Sequence, residues 1–345
     1  MLKFKDLKLK IVEKFKFFAP ISAAIILIGA ILMIIIGMNV GIDFAGGGKL
    51  EVDFGEYLAT HSDIKDDLIQ TVEGTLQNKG FETGSIRWSG EEGTQLEVGL
   101  KYSLNGSKVD ANNNEAQAQF VDLLKDSGEG SLKATILSSV NAAYPELQIT
   151  IDDIKDTVVS GSTSQKLLSN AIWATVVAIA IMLIYIAVRF TLASGLAAII
   201  ALAHDILIML ALVTIFRVQV NTTFIAAIIT IVGYSINATI VIFDRVREVS
   251  KLDSMKGASD VEIANKSIVE TLGRTILTTI TTLTVIVVLA IVCAIMGVST
   301  MGEFALPIIF GLIAGTYSSV FLSASIWVYI RRLGLKIKNR AKKAN

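Results

Sequence analysis

The sequence predicts a polytopic α-helical membrane protein with six transmembrane helices and an α+β extracytoplasmic domain between helices 1 and 2. Three observations carry this. Hydrophobic residues make up 52% of the 345 positions, and mean hydropathy is +0.62, above what soluble domains usually show. Six apolar runs reach the roughly 20 residues that a bilayer-crossing helix needs. One long polar stretch, residues 39–166, separates the first run from the other five.

The elements follow in order. Lys3, Lys5, Lys8, Lys10, Lys14 and Lys16 form a basic segment, 1–16, ahead of the run Phe17–Met38. This looks like a signal peptide at first. The run is too long for one, and no small-residue cleavage site follows, so it reads as a retained anchor. The later runs are Leu168–Val188, Ala193–Ile215, Thr222–Phe243, Ile276–Val298 and Phe304–Ile330, giving a five-helix bundle over 167–330. The flanking basic residues set the orientation. The N-terminal lysines and the tail 331–345 (Arg331, Arg332, Lys336, Lys338, Arg340, Lys342, Lys343) both belong in the cytoplasm, as an even number of spans requires. The turn at Arg189 and the loop with Arg245, Arg247, Lys251, Lys256, Lys266 and Arg274 fall on the same side. The outer loops 218–221 and 297–303 carry little positive charge, Arg217 excepted.

In the outer segment, Lys49–Phe54 alternates with period two, as a strand does. Over His61–Asn78, Ile64, Leu68, Val72 and Leu76 recur at helical spacing, and Lys79-Gly80 supplies the stop. Ser85–Trp88 and Gln95–Lys101 read as strands around the turn Gly90–Gly93. Ala116–Leu124 and Leu132–Ala142 read as helices, and Leu147–Ile151 as a last strand. Lys108–Glu115 reads as a mobile polar loop. The order predicts an antiparallel sheet with helices on one face, of ferredoxin-like type.

Composition excludes several functions. Lys plus Arg and Asp plus Glu balance at 31 each, so no nucleic-acid partner is indicated. Cys293 is alone in an apolar run and forms neither an internal disulfide nor a cysteine metal set. His61 lies in a polar segment and His204 in an apolar one, so no zinc site is expected, nor any cofactor. No HExxH, GxSxG or paired intramembrane aspartates appear, and an enzyme is not expected.

Gly41-Ile42-Asp43-Phe44-Ala45-Gly46-Gly47-Gly48 follows the first span. It lacks dinucleotide-fingerprint spacing. Its glycines permit positive φ and close backbone approach. It reads either as a flexible exit from the membrane or as a packed hinge between outer domain and bundle, with Phe44 as anchor and Asp43 fixing a turn.

Gly41–Gly47 resembles the Gly-Ile-Asp-Phe-x-Gly-Gly signature of the SecD/SecF family. Gly233–Glu248 (Gly-Tyr-Ser-Ile-Asn-Ala-Thr-Ile-Val-Ile-Phe-Asp-Arg-Val-Arg-Glu) resembles a second family signature, and Asn265–Thr282 and Ala201–Asp205 resemble two more. The resemblance covers nearly the whole chain. It implies membership of the RND superfamily, whose members use proton flow to drive outer-domain motions. It also implies a bacterial cytoplasmic-membrane subunit, both termini cytoplasmic, that promotes protein export with the proton motive force. The implied partners are a SecD-like subunit, the SecYEG channel, YajC, the translocating polypeptide and membrane lipids. An RND-type small-molecule or lipid exporter is the competing reading, against which stand the single repeat and the small outer domain.

An ionisable side chain inside a span costs several kcal/mol, roughly 2.5–3.5 on insertion scales, and is by default a functional candidate. Asp205 lies near mid-depth of its span and reads as a proton-linked or ion-pairing carboxylate, with helix packing as the plain alternative. His204 is expected on a different face, because neighbouring residues on a helix diverge. Gly233, Asn237 and Asp244 share a helix face, and Thr239 belongs to the same motif. Arg274 opens the fifth span, with Thr278 and Thr281 below it and Thr275, Thr279 and Thr282 as a second stripe. The resemblance assigns Arg274 to the proton pathway. Asp244 and Arg245 read as ion pairs at the cytoplasmic end. One departure stands out: where the family usually has an aspartate after the asparagine, this chain has Ala238. That leaves Asp205 or a partner's intramembrane carboxylate, with Arg274 as counter-charge, to carry coupling, or else coupling that is weaker or uses another ion. The loop Val246–Leu272, with Val261, Ala264, Ile268 and Leu272 on one stripe, is expected to lie along the inner face of the membrane or to form a solvated connector.

Overall fold

The computed structural model describes residues 9–90, 93–101, 103–104, 107–108, 114–296 and 299–344. Lys3, Lys5, Lys8, the turn centre at 91–92, the loop residues 109–113 and positions 297–298 of the last outer loop lie outside the described residues.

A 3₁₀ turn, Val12–Lys14, leads into α1 (Phe15–Ile35). The outer segment then runs α2 (Ile42–Ala45), β1 (Gly47–Asp53), α3 (Gly55–Thr60), α4 (Lys65–Asn78), β2 (Thr83–Ser89) and β3 (Gln95–Leu100). A small hairpin, β4 (Ser103–Leu104) and β5 (Ser107–Lys108), precedes α5 (Asn114–Lys125), α6 (Leu132–Ala143) and β6 (Ile154–Val159). The main sheet has the order β2-β3-β1-β6 and is antiparallel throughout.

Alternation along β1 builds the two faces of this sheet. Leu50 and Val52 are fully buried and pair with Val98 and Leu96 of β3. They join Leu68 and Leu76 of α4, Phe120 and Leu124 of α5, and Ile136 of α6 in one apolar core. Lys49 and Glu97 occupy the opposite face and form an ion pair at 3.6 Å. That polar face looks onto the outer end of the helix bundle.

The last strand is displaced from its expected place. Leu147 and Ile149 are buried, which accounts for their apolar alternation. However, the Asn141 side chain takes both backbone groups of Ile149, donating to its carbonyl at 2.9 Å and accepting from its N–H at 3.2 Å. Gln148 has a φ of 47°. A Thr150/Asp153 capping box then opens a 3₁₀ turn, and pairing with β1 begins only at Ile154.

The bundle comprises α7 (Gly161–Arg189), α8 (Leu192–Ile215), α9 (Thr222–Val249), α10 (Asp260–Ile295), α11 (Ser299–Tyr317), a π-helical segment Ser318–Ser323 and α12 (Ala324–Ala344). Ser160, Thr191, Asn221 and Ser259 cap α7 to α10, each side chain accepting an N–H of the first turn. Among the described residues, six helical stretches are long and apolar enough to cross a membrane: Val12–Ile35, Gly161–Arg189, Leu192–Ile215, Thr222–Val249, Asp260–Ile295 and Met301–Lys336. The interior lies between α8, α9 and α11, where Leu202, Met209, Ile231, Val232, Ile308 and Leu312 pack together. Gly29 seats α1 against α8, since a Cβ there would stand 2.3 Å from the Cβ of Ala211.

The 246–272 segment is not a helix lying in the membrane plane. α9 continues to Val249, and a Ser259/Glu262 capping box starts α10, which runs unbroken into the fifth span. Ala264, Ile268 and Leu272 are buried in the bundle core, with Val261 packed beside them. Their stripe was a signal of helix–helix packing. Asn265 secures the chain entry by accepting the N–H groups of Ile11 and Val12, both at 3.0 Å.

Candidate functional site: a buried carboxylate and an outer junction

Asp205 sits midway along α8 and is fully buried. Ser235 of α9 donates its hydroxyl to Oδ2 at 2.5 Å, and Ser318, the first residue of the π-helical segment, donates to the same oxygen at 2.8 Å. His204 Nδ1 lies 2.9 Å from Oδ1. Gly315 of the last span lies beside this group, where an added Cβ would make ordinary contact, 3.5 Å from Oδ2. A π-helical turn inside an α-helix often marks a functional site. Here it brings Ser318 onto the carboxylate and turns Ser319 and Ser323 inward, fully buried and donating to the carbonyls of Thr316 (3.1 Å) and Ser319 (2.6 Å).

His204 does not face elsewhere. Its Cα direction diverges from that of Asp205, but the imidazole is long enough to fold back to the neighbouring carboxylate. The ring stacks on Tyr317 with centroids 6.2 Å apart, and Tyr317 donates its hydroxyl to the Phe18 carbonyl of α1 at 2.6 Å. His204 Nε2 is buried with no hydrogen-bond partner. Among the described residues, no three His, Cys, Asp or Glu side chains converge as a metal set.

The remaining candidates divide into two groups. Thr239 is buried, one turn beyond Ser235 on the inward face of α9. Asn237, Arg274 and Thr278 are exposed on the outside of the bundle, with Ala238 partly covered. Gly233 is exposed there too, and a Cβ on it would meet nothing within 4 Å. The Thr278 hydroxyl donates to the carbonyls of Arg274 (2.9 Å) and Thr275 (3.0 Å). The second threonine stripe faces inward, with Thr279 bonded to Thr316 at 2.9 Å and accepting from Tyr234 at 2.9 Å. At the end of the bundle away from the sheet, Asp244 pairs with Arg189 (2.8 Å), and Arg245 with Glu270 (2.6 Å) and Glu248 (2.5 Å).

The glycine cluster forms a second polar centre at the end of the bundle that meets the sheet. The Gly41 N–H donates to the Val220 carbonyl at 2.9 Å, and the Val220 N–H to the Asn39 carbonyl at 2.8 Å. Asp43 accepts from the backbone N–H (3.0 Å) and hydroxyl (2.8 Å) of Thr222, so its carboxylate holds the first turn of α9. Phe44 is buried in the bundle core. Gly46 and Gly47 have φ of 73° and 142°, and a Cβ on Gly47 would stand 2.2 Å from the Leu100 carbonyl oxygen. Across a cavity of about 210 Å³ between sheet and bundle, Arg87 of β2 donates to Glu97 (2.7 Å) and Gln219 (3.0 Å) and pairs with Glu303 of α11. Asn221 donates to the other oxygen of Glu303 at 2.5 Å.

Sequence reasoning passed over Ser235, Ser318, Arg87 and Glu303. For Ser318 a signal existed: Ser318, Ser319, Ser323 and Ser325 crowd an otherwise apolar span. Arg87 and Glu303 lie far apart in sequence, and nothing local joins them.

Residues 139–333 match the family described as protein export membrane protein SecD/SecF, C-terminal. The protein translocase subunit SecF of Petrotoga mobilis is 30% identical over 316 residues, 91% of this chain and 93% of that protein. SecF of Alicyclobacillus acidocaldarius is 30% identical, covering 97% and 96%. SecDF of Bacillus subtilis is 31% identical over 92% of this chain, which spans 37% of it. The crystal structure of SecDF, a translocon-associated membrane protein from Thermus, superposes with a TM-score of 0.71 at 26% identity. It covers 96% of this chain, which spans 40% of that one.

Proposed function

As the chain belongs to the SecD/SecF family of protein export membrane proteins, a multi-pass group acting in export, we propose that it uses the proton motive force to promote polypeptide export. In this reading it works in the bacterial cytoplasmic membrane with both termini inside, paired with a SecD-like subunit beside the SecYEG channel and YajC. It acts on the emerging polypeptide and performs no covalent chemistry. The gathering of Arg189, Arg245, Arg247, Lys251 and Lys256 at one end of the bundle supports the orientation. The strand order β2-β3-β1-β6 supports a ferredoxin-like outer domain.

The observation that carries the reading is the junction at Asp205. An ionised carboxylate only accepts hydrogen bonds, whereas a protonated one must also donate. Proton exchange therefore obliges one of Ser235, Ser318 or His204 to switch from donor to acceptor, by hydroxyl rotation or a change of imidazole tautomer, which resets the bonds that join α8 to α9 and the π-helical segment. The outer ends of α9 and α11 carry Asn221 and Glu303, which bond each other and hold Arg87 of the sheet. A rearrangement at mid-membrane thus has a continuous packed route to the outer domain. The exposed face with Asn237, Arg274 and Thr278 suits a partner that supplies the second carboxylate, with Arg274 as its counter-charge.

The test is proton-gradient-driven secretion in membrane vesicles containing the complete pair. Arg274→Met and Asp205→Asn should each abolish the gradient-driven component and leave gradient-independent export unchanged. Unchanged stimulation in both variants would overturn the proposal. Stimulation that appears only after Ala238→Asp would show that the native chain lacks proton coupling.

A further inference from the structure

At the inner end of the bundle, the last turn of α7, the start of α8, the end of α9 and the middle of α12 enclose a half-open pocket of about 670 Å³. Its lining falls into two parts. Phe190, Phe243 and Trp327 form an apolar wall, and Phe190 meets Phe243 edge to face at 6.3 Å. Arg189, Arg247 and Arg331 form the rim. Arg331 lies over the Trp327 ring, 5.1 Å from its centroid, and Arg189 lies 5.5 Å from that of Phe190. A cation–π contact of this kind helps to hold a guanidinium over the ring while leaving N–H donors for other partners.

Carboxylates take up only part of this charge. Arg189 uses one terminal nitrogen on Asp244 at 2.8 Å, and Arg331 one on Asp260 at 2.9 Å. Each guanidinium has five N–H donors. Arg247 is exposed and makes no ion pair among the described residues. No acidic side chain lines the pocket. Leu192 and Ala193 line it with the first turn of α8, where backbone N–H groups lack helical acceptors. Thr191 caps only the Ser194 N–H, at 3.5 Å.

We infer that this pocket binds the phosphate headgroup of an anionic membrane phospholipid. The arginine fork geometry and the free N–H groups suit phosphate oxygens. The apolar wall and the exposed Leu192 and Val188 beside it suit an acyl chain, which inorganic phosphate lacks. Basic pockets between spans at the inner membrane surface recognise such headgroups.

The experiment uses the full chain, delipidated in detergent, with phosphatidylglycerol, phosphatidylcholine of the same acyl chains, or sodium phosphate. Native mass spectrometry and thermal unfolding are the readouts. Phosphatidylglycerol should be retained over phosphatidylcholine and raise Tm. Arg247→Gln should weaken its binding about tenfold, the worth of one charge-assisted hydrogen bond, while Arg247→Lys, which keeps the charge and loses the fork, should weaken it less. Arg332→Gln, outside the pocket, should leave binding unchanged. Equal retention of the two lipids, or unaltered phosphatidylglycerol binding in Arg247→Gln, would overturn the inference. So would a Tm gain from sodium phosphate equal to that from the lipid, which would mark a free-anion site.

Discussion

Two hydroxyls and an imidazole converge on Asp205, where no solvent can replace a lost donor. Leaving a buried polar group short of one hydrogen bond costs about 1–3 kcal/mol. Ser235→Ala and Ser318→Ala should each lower Tm in detergent. Because both serve one oxygen, their effects should be non-additive by about 0.5 kcal/mol or more, which a double-mutant cycle measures; strict additivity would separate them. Ser235 was not legible from its own neighbourhood, and the serine crowding around Ser318 marks the segment without naming its partner, because a serine in a span reads first as a donor to its own backbone. His204 was misjudged for a related reason: helical spacing describes Cα directions, and a long ring can reach back. In the outer domain, Tyr57 donates to Glu146, and that bond to the carboxylate raises the phenol above its ordinary value of 10.0. A raised tyrosine pKa favours the protonated fold, so this contribution is complete below the unfolded value and is lost as pH rises through the folded one. Tyr57→Phe should flatten the alkaline limb of outer-domain stability, read by thermal unfolding between pH 8 and 11, on the order of the unperturbed tyrosine pKa.

Element by element, the spans were legible because a bilayer imposes a length and an apolar composition on any helix that crosses it. What composition leaves open is how those helices touch. α1 is apolar on every side, so its sequence names no packing face; Gly29 does, through its contact with Ala211. Gly29→Leu should separate α1 from α8. A cysteine pair placed across that contact should lose cross-linking, and Tm should fall by several degrees, as expected for roughly 1–3 kcal/mol of overpacking. Undiminished cross-linking would show that the helix re-seats. The stripe Val261–Leu272 and the alternation Leu147–Ile151 teach the same lesson in two directions. Both patterns report burial correctly. Against what a segment is buried, and whether its backbone is free to pair, depends on residues elsewhere, the core of the bundle in one case and Asn141 in the other.

For the molecule as a whole, the outer junction is where the sheet and the bundle become one body. Arg87 reaches Gln219 and Glu303 while Asp43 holds the start of α9. Arg87→Ala removes the sheet's hold on Glu303 but leaves both cores intact. Amide exchange should accelerate at 41–47 and 218–223 and remain slow in β1 and β3. Acceleration confined to the sheet would instead mean that the outer domain itself had loosened. Gly47 belongs to this scale too, because its φ of 142° and its contact with Leu100 pin the first strand where the chain leaves the membrane. Gly47→Ala should destabilise the outer domain by more than about 1 kcal/mol, measured by thermal unfolding.

By itself, the sequence determined the six helices long and apolar enough to cross a membrane, the α+β segment between the first two, the glycine cluster, the family and the carboxylate Asp205 within an apolar helix. Each is a property of local composition, spacing or a contiguous motif. Only the tertiary structure decided that Asp205 meets Ser235 and Ser318 and that Asn237 and Arg274 face outward. It also decided that Arg87 closes on Glu303 and that three arginines border one pocket. These are meetings of residues distant along the chain, and their positions depend on helix rotation and close approach, which hydropathy does not encode.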